Sequence, residues 1–491
     1  MKKYDENDKN SIYEYALKLI GKNFREIRDN YYKNTLNDNF LLNEDYFDGD
    51  YLTDSYDDIK RKGGLGELLE EMYFGYKPDN LSQPDFNKAN LELKVSPYKI
   101  NKNKTLSAKE RLVISMIGYY DIINQDFYSS SVWKKLENIL LIYYLWEEDK
   151  EKLDYLINYV YPFSPSQQDL KIIINDYNKI RQQVFDGKAH ELSESSTLYL
   201  GAVTKAADSS VRTSQPFSNI PAKPRAFSLK SSYMTALLRE KISKDSDESI
   251  LKNKIVDDFE TYIIDTINNN KTKTKEELIR QYYGSKKISS KNIYNLLTYK
   301  MLGVNTDNAM EFEKANIVVK TIRIENNNKI KESMSFPAFK VMNLIKENWK
   351  ESTIYNFFSN TRFLFVVYRR VGKTYALHGS MFWHMPSQDL ENIVFKEWQK
   401  TQNIFKEGVK FKFKESGKKI IVSTNLPKLS NTEILHVRNH SQKSAYLVNG
   451  TKYGSGKLKI DSDLLPNGDR ISKQCFWLNN KYILKQIKKL I

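Results

Sequence analysis

Two ten-residue stretches of this 491-residue chain are near-copies of each other: Asp85–Lys94 reads DFNKANLELK and Glu311–Lys320 reads EFEKANIVVK. The likeness continues on both sides in the same order. LGELLEEMYFG, ending at Gly75, parallels IYNLLTYKMLG, ending at Gly303. ILLIYY from Ile139 parallels FLFVVY from Phe363, and AFSLKSSYM from Ala226 parallels CFWLNNKYI from Cys475. Matched stretches kept in one order mark a duplicated unit, so the chain has to fold twice into one architecture. Its length gives room for about two to four domains. The repeat predicts a first domain over residues 1–240 and a second over 285–491. Residues 241–284, charged and rich in Asn, read as the connection between them.

Apolar spacing predicts a mixed α/β structure. Ile12, Leu17, Ile20, Phe24 and Ile27 predict one amphipathic helix over 11–27, and residues 28–60 read as a loop or arm. Leu65, Leu68, Leu69 and Met72 form a helical face ending at Gly75, with Glu70 beside it. Leu91, Leu93 and Val95 alternate with Glu92, Lys94 and Ser96, the period of a strand, which puts Glu92 and Lys94 on one face. SAKERLVISMIGYYDII from Ser107 reads as a capped helix, Ile139–Leu145 as a buried strand, and residues 195–239 as a loop-rich segment.

The two copies part company at ionisable positions. Glu70 falls opposite Thr298, Asp85 opposite Glu311 and Glu92 opposite Val318, while Lys94 keeps a counterpart in Lys320. Hydrolysis of a phosphodiester needs a nucleophile made from water, neutralisation of transition-state charge and stabilisation of the leaving oxygen. Mg²⁺ meets these needs with one or two carboxylates, water and phosphate oxygens as ligands. Asp85 and Glu92 are placed to bind such an ion, Lys94 to polarise the attacking water, and Glu70 to hold the water or a second ion. Without the strand carboxylate the second copy should not hold a catalytic metal. The plain alternative makes Glu92 and Lys94 a surface ion pair on a solvated strand face.

A net charge of +16 and a pI near 9.3 favour a polyanionic partner. Residues 195–239 hold one acid, Asp208, against Lys205, Arg212, Lys223, Arg225, Lys230 and Arg239, a bias suited to phosphate contact. Lys205, Arg212, Arg225 and Lys230, with Arg438 in the second copy, are the candidate DNA-binding residues. The single cysteine, Cys475, leaves neither a disulfide nor a cysteine zinc cluster and reads as a buried small hydrophobe. With no signal-peptide pattern or spanning apolar run, a cytoplasmic protein without membrane contact is expected. Gly372-Lys373-Thr374 resembles the end of a phosphate-binding loop, but Val367 stands where its first glycine belongs, so no ATP is expected. HELSE at His190 lacks the second histidine of a zinc protease, and His436 and His440 have no cysteine nearby to complete a zinc site.

KGGLGELLE, followed by PDF and LELK, resembles the MutH family, which comprises the mismatch-repair nicking endonuclease and related type II restriction endonucleases that cut GATC. The resemblance continues through TKAADSS and RAFSLKSSYMTALL, and a weaker second copy extends it to the C-terminus, as in the two-domain restriction members. It implies a tandem restriction-endonuclease-like PD-(D/E)XK fold, Mg²⁺ dependence and recognition of GATC. Glu70, Asp85, Glu92 and Lys94 match the family's catalytic positions, and Lys205 a DNA-contacting lysine. Val203 stands instead of a base-contacting arginine, and Ser228 instead of a tyrosine associated with sensing adenine methylation. The expectation is a type II restriction endonuclease with an inactive, DNA-binding second copy. It would act as a monomer in solution or a dimer on double-stranded DNA, alongside a cognate methyltransferase. A mismatch-repair nickase and a non-catalytic DNA-binding regulator are the alternatives.

Overall fold

The computed structural model describes residues 3–40, 64–78, 83–206, 208, 210–242, 248–285, 288, 290–306, 309–417 and 419–491. Lys62 and Gly63, residues 41–60 of the expected arm, and Ala207 and Ser209 of TKAADSS lie outside the described residues. The chain divides into two compact units, Met1–Asp258 with Asn308–Asn316, and Phe259–Asp307 with Ile317–Ile491. No helix among the described residues is long and apolar enough to cross a membrane.

In the first unit two helices, α1 (Lys9–Leu17) and α2 (Phe24–Phe40), replace the single helix expected over 11–27. The break falls at Gly21, whose φ of +86° a side chain would oppose. Its N–H donates to the Ile157 carbonyl at 2.8 Å, and the Ile157 N–H donates to the Lys22 carbonyl at 2.9 Å. Asn23 Oδ1 then accepts the Glu26 N–H at 2.8 Å and caps α2, which runs on into the expected loop. α3 (Gly64–Leu68) continues as one wider turn, Leu69–Tyr73, that buries Leu65, Leu68, Leu69 and Met72 as predicted.

The first sheet contains β1 (Glu92–Ile100), β2 (Leu106–Ala108), β4 (Ile139–Leu145) and β5 (Leu156–Phe163) in the order β2-β1-β4-β5. β1 and β4 are parallel and the other pairs antiparallel. β3 (Leu112–Met116), β6 (Leu200–Thr204) and β9 (Arg225–Leu229) form a second sheet, with a hairpin of β7 (Thr213–Gln215) and β8 (Ser218–Ala222) between β6 and β9. The helix expected from Ser107 is therefore β2, β3 and the single turn α4 (Tyr119–Ile122). Leu112 and Ile114 alternate onto the buried face of β3, and pairing with β9 outweighs the capping signal at Ser107. Residues 195–239, read as loop-rich, hold β6 to β9 and most of α7 (Ser231–Ile242). α5 (Ser131–Leu136) leads into β4 and α6 (Gln167–Phe185) into β6.

The second unit repeats this plan. β10 (Ile317–Ile324) is parallel to β12 (Arg362–Val371), which pairs antiparallel with β13 (Thr374–Trp383). β11 (Met334–Ala338), β16 (Leu435–Asn439) and β21 (Gln474–Leu478) form its second sheet. β14 (Phe411–Ser416) pairs with β15 (Lys419–Thr424), and β17 (Tyr446–Val448), β18 (Thr451–Tyr453), β19 (Ser462–Leu464) and β20 (Arg470–Ser472) make a further small sheet. Glu92 pairs with Ile139 and Val318 with Phe363, so the register reproduces the sequence match of the two copies. Even the bulge recurs: Asn158 of β5 is the extra residue opposite Tyr143 and Tyr144, and His378 of β13 the extra residue opposite Val367 and Tyr368.

The repeat also begins earlier than its legible sequence. Part of the stretch that reads as a connection forms α8 (Phe259–Asn268) and α9 (Lys275–Tyr283), which bury Ile263, Ile267 and Leu278. Between them Thr272, at φ +69°, donates to the Leu377 carbonyl at 2.8 Å, and the Leu377 N–H donates to the Lys273 carbonyl at 2.9 Å. These are the bonds that Gly21 and Lys22 make in the first unit, with no sequence identity between Gly21 and Thr272.

Candidate active site

Asp85 is delivered to the head of β1 by a tight reversal. Phe86 and Leu91 form a bridge around the turn Asn87–Ala89, closed by Asn90 at φ +48°, a conformation asparagine tolerates. Asp85 Oδ2 accepts the Leu93 N–H at 2.8 Å, and the Asp85 N–H donates to Glu92 Oε2 at 3.3 Å. Glu92 itself is 1% exposed, so the surface-pair reading fails. Its other oxygen, Oε1, lies 2.5 Å from Lys94 Nζ and 3.2 Å from Lys135 Nζ, the latter reaching in from α5. A buried carboxylate persists as an anion only with such partners.

Glu70 comes from the wide turn after α3. Burial, and then the nearby Asp85 charge, push its carboxyl up to about 7, with Lys94 opposing. Burial, and then Glu92, push Asp85 up to about 6, against Lys94, the Leu93 N–H and Lys135. The structure thus brings all four sequence-predicted residues into mutual electrostatic range. Crowded carboxylates with raised pKa values are a donor set that a divalent cation relieves. Among the described residues no group of three or more His, Cys, Asp or Glu is placed to hold an ion together. Asp85 and Glu92 as a protein pair, with water and phosphate completing the shell, fit Mg²⁺.

Two neighbours escaped the sequence reading. One is Lys135, for which a signal existed: with Ile139 set against Phe363, it falls opposite Ser359, a further charge absent from the second copy. The other is Tyr76, whose buried hydroxyl has no hydrogen-bond partner among the described residues. Burial, then Asp85 and Glu70, hold its pKa far above the ordinary phenol value. Nothing in the spacing of the motif points to it.

The second copy's matching positions are put to other uses. Thr298 is buried and its hydroxyl donates to the Tyr294 carbonyl at 3.0 Å. Lys320 donates to the Ser335 carbonyl at 3.3 Å, and burial pushes its pKa down. Glu311 belongs to the first unit, where its carboxylate accepts the N–H groups of Ile250 and Leu251 at 3.0 and 3.1 Å and the Ser249 hydroxyl at 2.6 Å.

The candidate DNA-binding residues separate into two groups. Lys205 and Arg212 are exposed, just after β6 and just before β7. Arg438 is exposed on β16, its guanidinium 4.8 Å from the Trp477 ring. Arg225 turns back to the Ala202 carbonyl at 2.6 Å. Lys230 is 3% exposed and donates to the Thr197 carbonyl at 2.5 Å, which makes it a support for the fold rather than a surface contact. Val203 pairs with Ala226 as Arg438 pairs with Cys475, so the arginine missing from the first copy stands at the matching position of the second.

The remaining motifs resolve simply. Gly372-Lys373 is the turn of the β12–β13 hairpin, not a loop opening a helix. His436 and His440 lie four residues apart along an extended chain, about 13 Å, too far to share an ion. Cys475 is buried as expected.

The model of the family described as DNA mismatch repair enzyme MutH matches residues 74–176 and again 301–395, one segment in each unit. The type II restriction enzyme Sau3AI of Staphylococcus aureus is 36% identical over 464 residues, covering 88% of this chain and 93% of that protein. The twice-built α/β architecture is accordingly a tandem of PD-(D/E)XK domains. On fold, repeat and sequence together, the chain belongs to the MutH-like type II restriction endonucleases.

Proposed function

We propose that the first unit hydrolyses double-stranded DNA at GATC with Mg²⁺, and that the second is a catalytically inactive copy that binds DNA and regulates cleavage. The observation that carries this reading is Glu92, a buried carboxylate shared by two lysines and the Asp85 backbone, opposite a valine in the other copy. Asp85 and Glu92 would hold Mg²⁺, and Glu70 would hold the attacking water or a second ion. When bound, the ion neutralises phosphate charge and acidifies water. Lys94 orients that water and offsets charge on the phosphate. Lys135 fixes the Glu92 carboxylate, whose rotation would otherwise scatter the site.

One intact centre cuts one strand at a time. Cutting both strands then takes either two molecules on one palindrome, a dimer formed on DNA from a monomer in solution, or sequential nicking. The catalytic domain expected over residues 1–240 falls in the first unit and the regulatory domain expected over 285–491 in the second, except for residues 308–316, which join the first. A partner methyltransferase would protect the host's own sites.

Plasmid incubated with Mg²⁺ should be cut at GATC, and EDTA should stop it. Glu92→Ala and Asp85→Ala should each slow cutting by at least about 10²-fold, as loss of one electrostatic stabiliser does. Metal-independent cutting, or unchanged cutting by both variants, would sink the nuclease assignment. Regulation predicts that a two-site plasmid is cut faster than a one-site plasmid, and that added GATC duplex stimulates the latter. Equal rates and no stimulation would remove the regulatory role alone.

A further inference from the structure

Among the described residues, the second unit carries a ribbon at a place where the first unit has none. Between α6 and β6, residues 186–199 hold only two short 3₁₀ turns. At the matching place, between the helix Phe395–Glu407 and β16, residues 408–434 contain the two-stranded ribbon of β14 and β15. Among the described residues the ribbon pairs with no other strand. Its sequence, FKFKESGKKIIVST, carries four lysines and one glutamate, with Lys410 just before it.

The register sorts its side chains onto two faces. Phe411 and Phe413 lie opposite Thr424 and Val422 on one face, whereas Lys412 and Lys414 lie opposite Ser423 and Ile421 on the other. The aromatic face is anchored: Phe413 stands 4.6 Å from the Tyr453 ring and Phe411 6.2 Å from the Tyr446 ring. The Lys410 N–H donates to Asn425 Oδ1 at 2.9 Å, which pins the base. The lysine face is exposed, and among the described residues Lys410, Lys412 and Lys414 are in no ion pair. Exposed ribbon edges invite aggregation, and lysines blunt that tendency, but an anchored, one-signed face whose lysines span about 13 Å is also what a duplex backbone fits.

We propose that this ribbon is a sequence-independent phosphate clamp of the second unit, laying Lys412 and Lys414 along a DNA backbone. The proposal rests on the reading of that unit as a DNA-binding copy. The described lysine face offers ammonium point charges and no Arg, Asn or Gln to read a base edge, so it supplies affinity and leaves GATC selection to other residues.

The test uses the full-length protein in EDTA with fluorescent GATC and scrambled duplexes, measuring affinity against salt. K412Q/K414Q should weaken both duplexes equally and lower the salt slope by about 2, roughly 0.9 for each phosphate the protein no longer neutralises. K396Q/K400Q removes the same charge from exposed positions of the helix Phe395–Glu407 and should change the slope by less than half as much. Arg438→Ala reports on the second unit independently and should weaken the GATC duplex more than the scrambled one. If Arg438→Ala acts as expected and K412Q/K414Q does nothing, the clamp is overturned and the DNA-binding reading stands. If neither variant changes binding, both fall. An equal weakening by K396Q/K400Q also overturns the clamp, since net charge alone would then explain the effect. Unchanged melting temperatures establish that each variant is folded.

Discussion

Among single residues, Glu92 owes its role to its surroundings, which hold the carboxylate of a common strand glutamate in one place. Lys135 holds the same oxygen as Lys94, and the two are not equivalent: Lys94 shares the strand face, whereas Lys135 reaches in from α5. Lys135→Ala should lower the cleavage rate by about 10²-fold, with Lys135→Arg recovering part of the loss, measured under single turnover. The raised carboxyls make a second prediction. The folded, metal-free protein keeps protons on Glu70 up to about pH 7 and on Asp85 up to about pH 6, whereas the unfolded chain releases them near pH 4. Stability contributed by these protons is therefore present at low pH and lost as pH rises from about 4 to about 7. In EDTA, Glu70→Gln should melt with the wild type near pH 4 and above it, by about 2–4 °C, at pH 8. Calorimetry across that range decides; a variant that melts below the wild type at pH 8 would contradict the sign.

Among the secondary-structure elements, the two copies share a device built on a matched pair of buried helix acids. Asp176 on α6 is buried, and its carboxylate accepts the N–H groups of Leu198, Tyr199 and Leu200 at 2.8, 2.6 and 3.0 Å. Glu397 on the helix Phe395–Glu407 accepts those of Glu433, Ile434 and Leu435 at 2.6, 3.3 and 2.6 Å. Each acid gathers three consecutive donors at the head of β6 or β16, and burial raises the pKa of both. Asp176→Ala should destabilise the first unit by about 3 kcal/mol or more, since each orphaned buried donor costs about 1–3 kcal/mol. Glu397→Ala should cost the half-buried site in the second unit less. Urea unfolding of each variant measures both. The two acids are matched in sequence, each eleven residues after the proline of PSQ (Pro165, Pro386) and eleven before a glycine (Gly187, Gly408), although the stretch from acid to strand is longer in the second copy.

In the molecule as a whole, the first unit is assembled from two separate pieces of chain. Within it, Lys314 from the helix Met310–Ala315 pairs with Asp169 at 2.8 Å, both nearly buried, and the Tyr233 hydroxyl donates to the same oxygen at 2.9 Å. Removing one partner of a buried pair costs about 3–5 kcal/mol. A fragment ending at Asp258 should accordingly unfold at a lower urea concentration than the first transition of the intact chain. A synthetic peptide of residues 308–316 should restore part of the difference. A fragment as stable as the intact chain, and indifferent to the peptide, would show that the inserted segment contributes nothing.

Legible in the sequence were the duplication, the strands β1 and β4, and the four residues Glu70, Asp85, Glu92 and Lys94. These are local properties: a period of two, a helical stripe ending in glycine, and a repeat whose copies differ at charged positions. Packing between distant elements set the rest. It turned Ser107–Ile123 from a capped helix into strands because β9 offered a partner, and it split 11–27 at Gly21 because the edge of β5 accepts the chain there. It buried Lys230, a residue that charge pattern assigns to the surface, and brought Lys135 and Tyr76 to the carboxylates. Short-range spacing fixes which atoms lie near one another along a strand or helix. Which distant donor reaches a buried carboxylate depends on how separate elements pack, and composition and period carry no record of that.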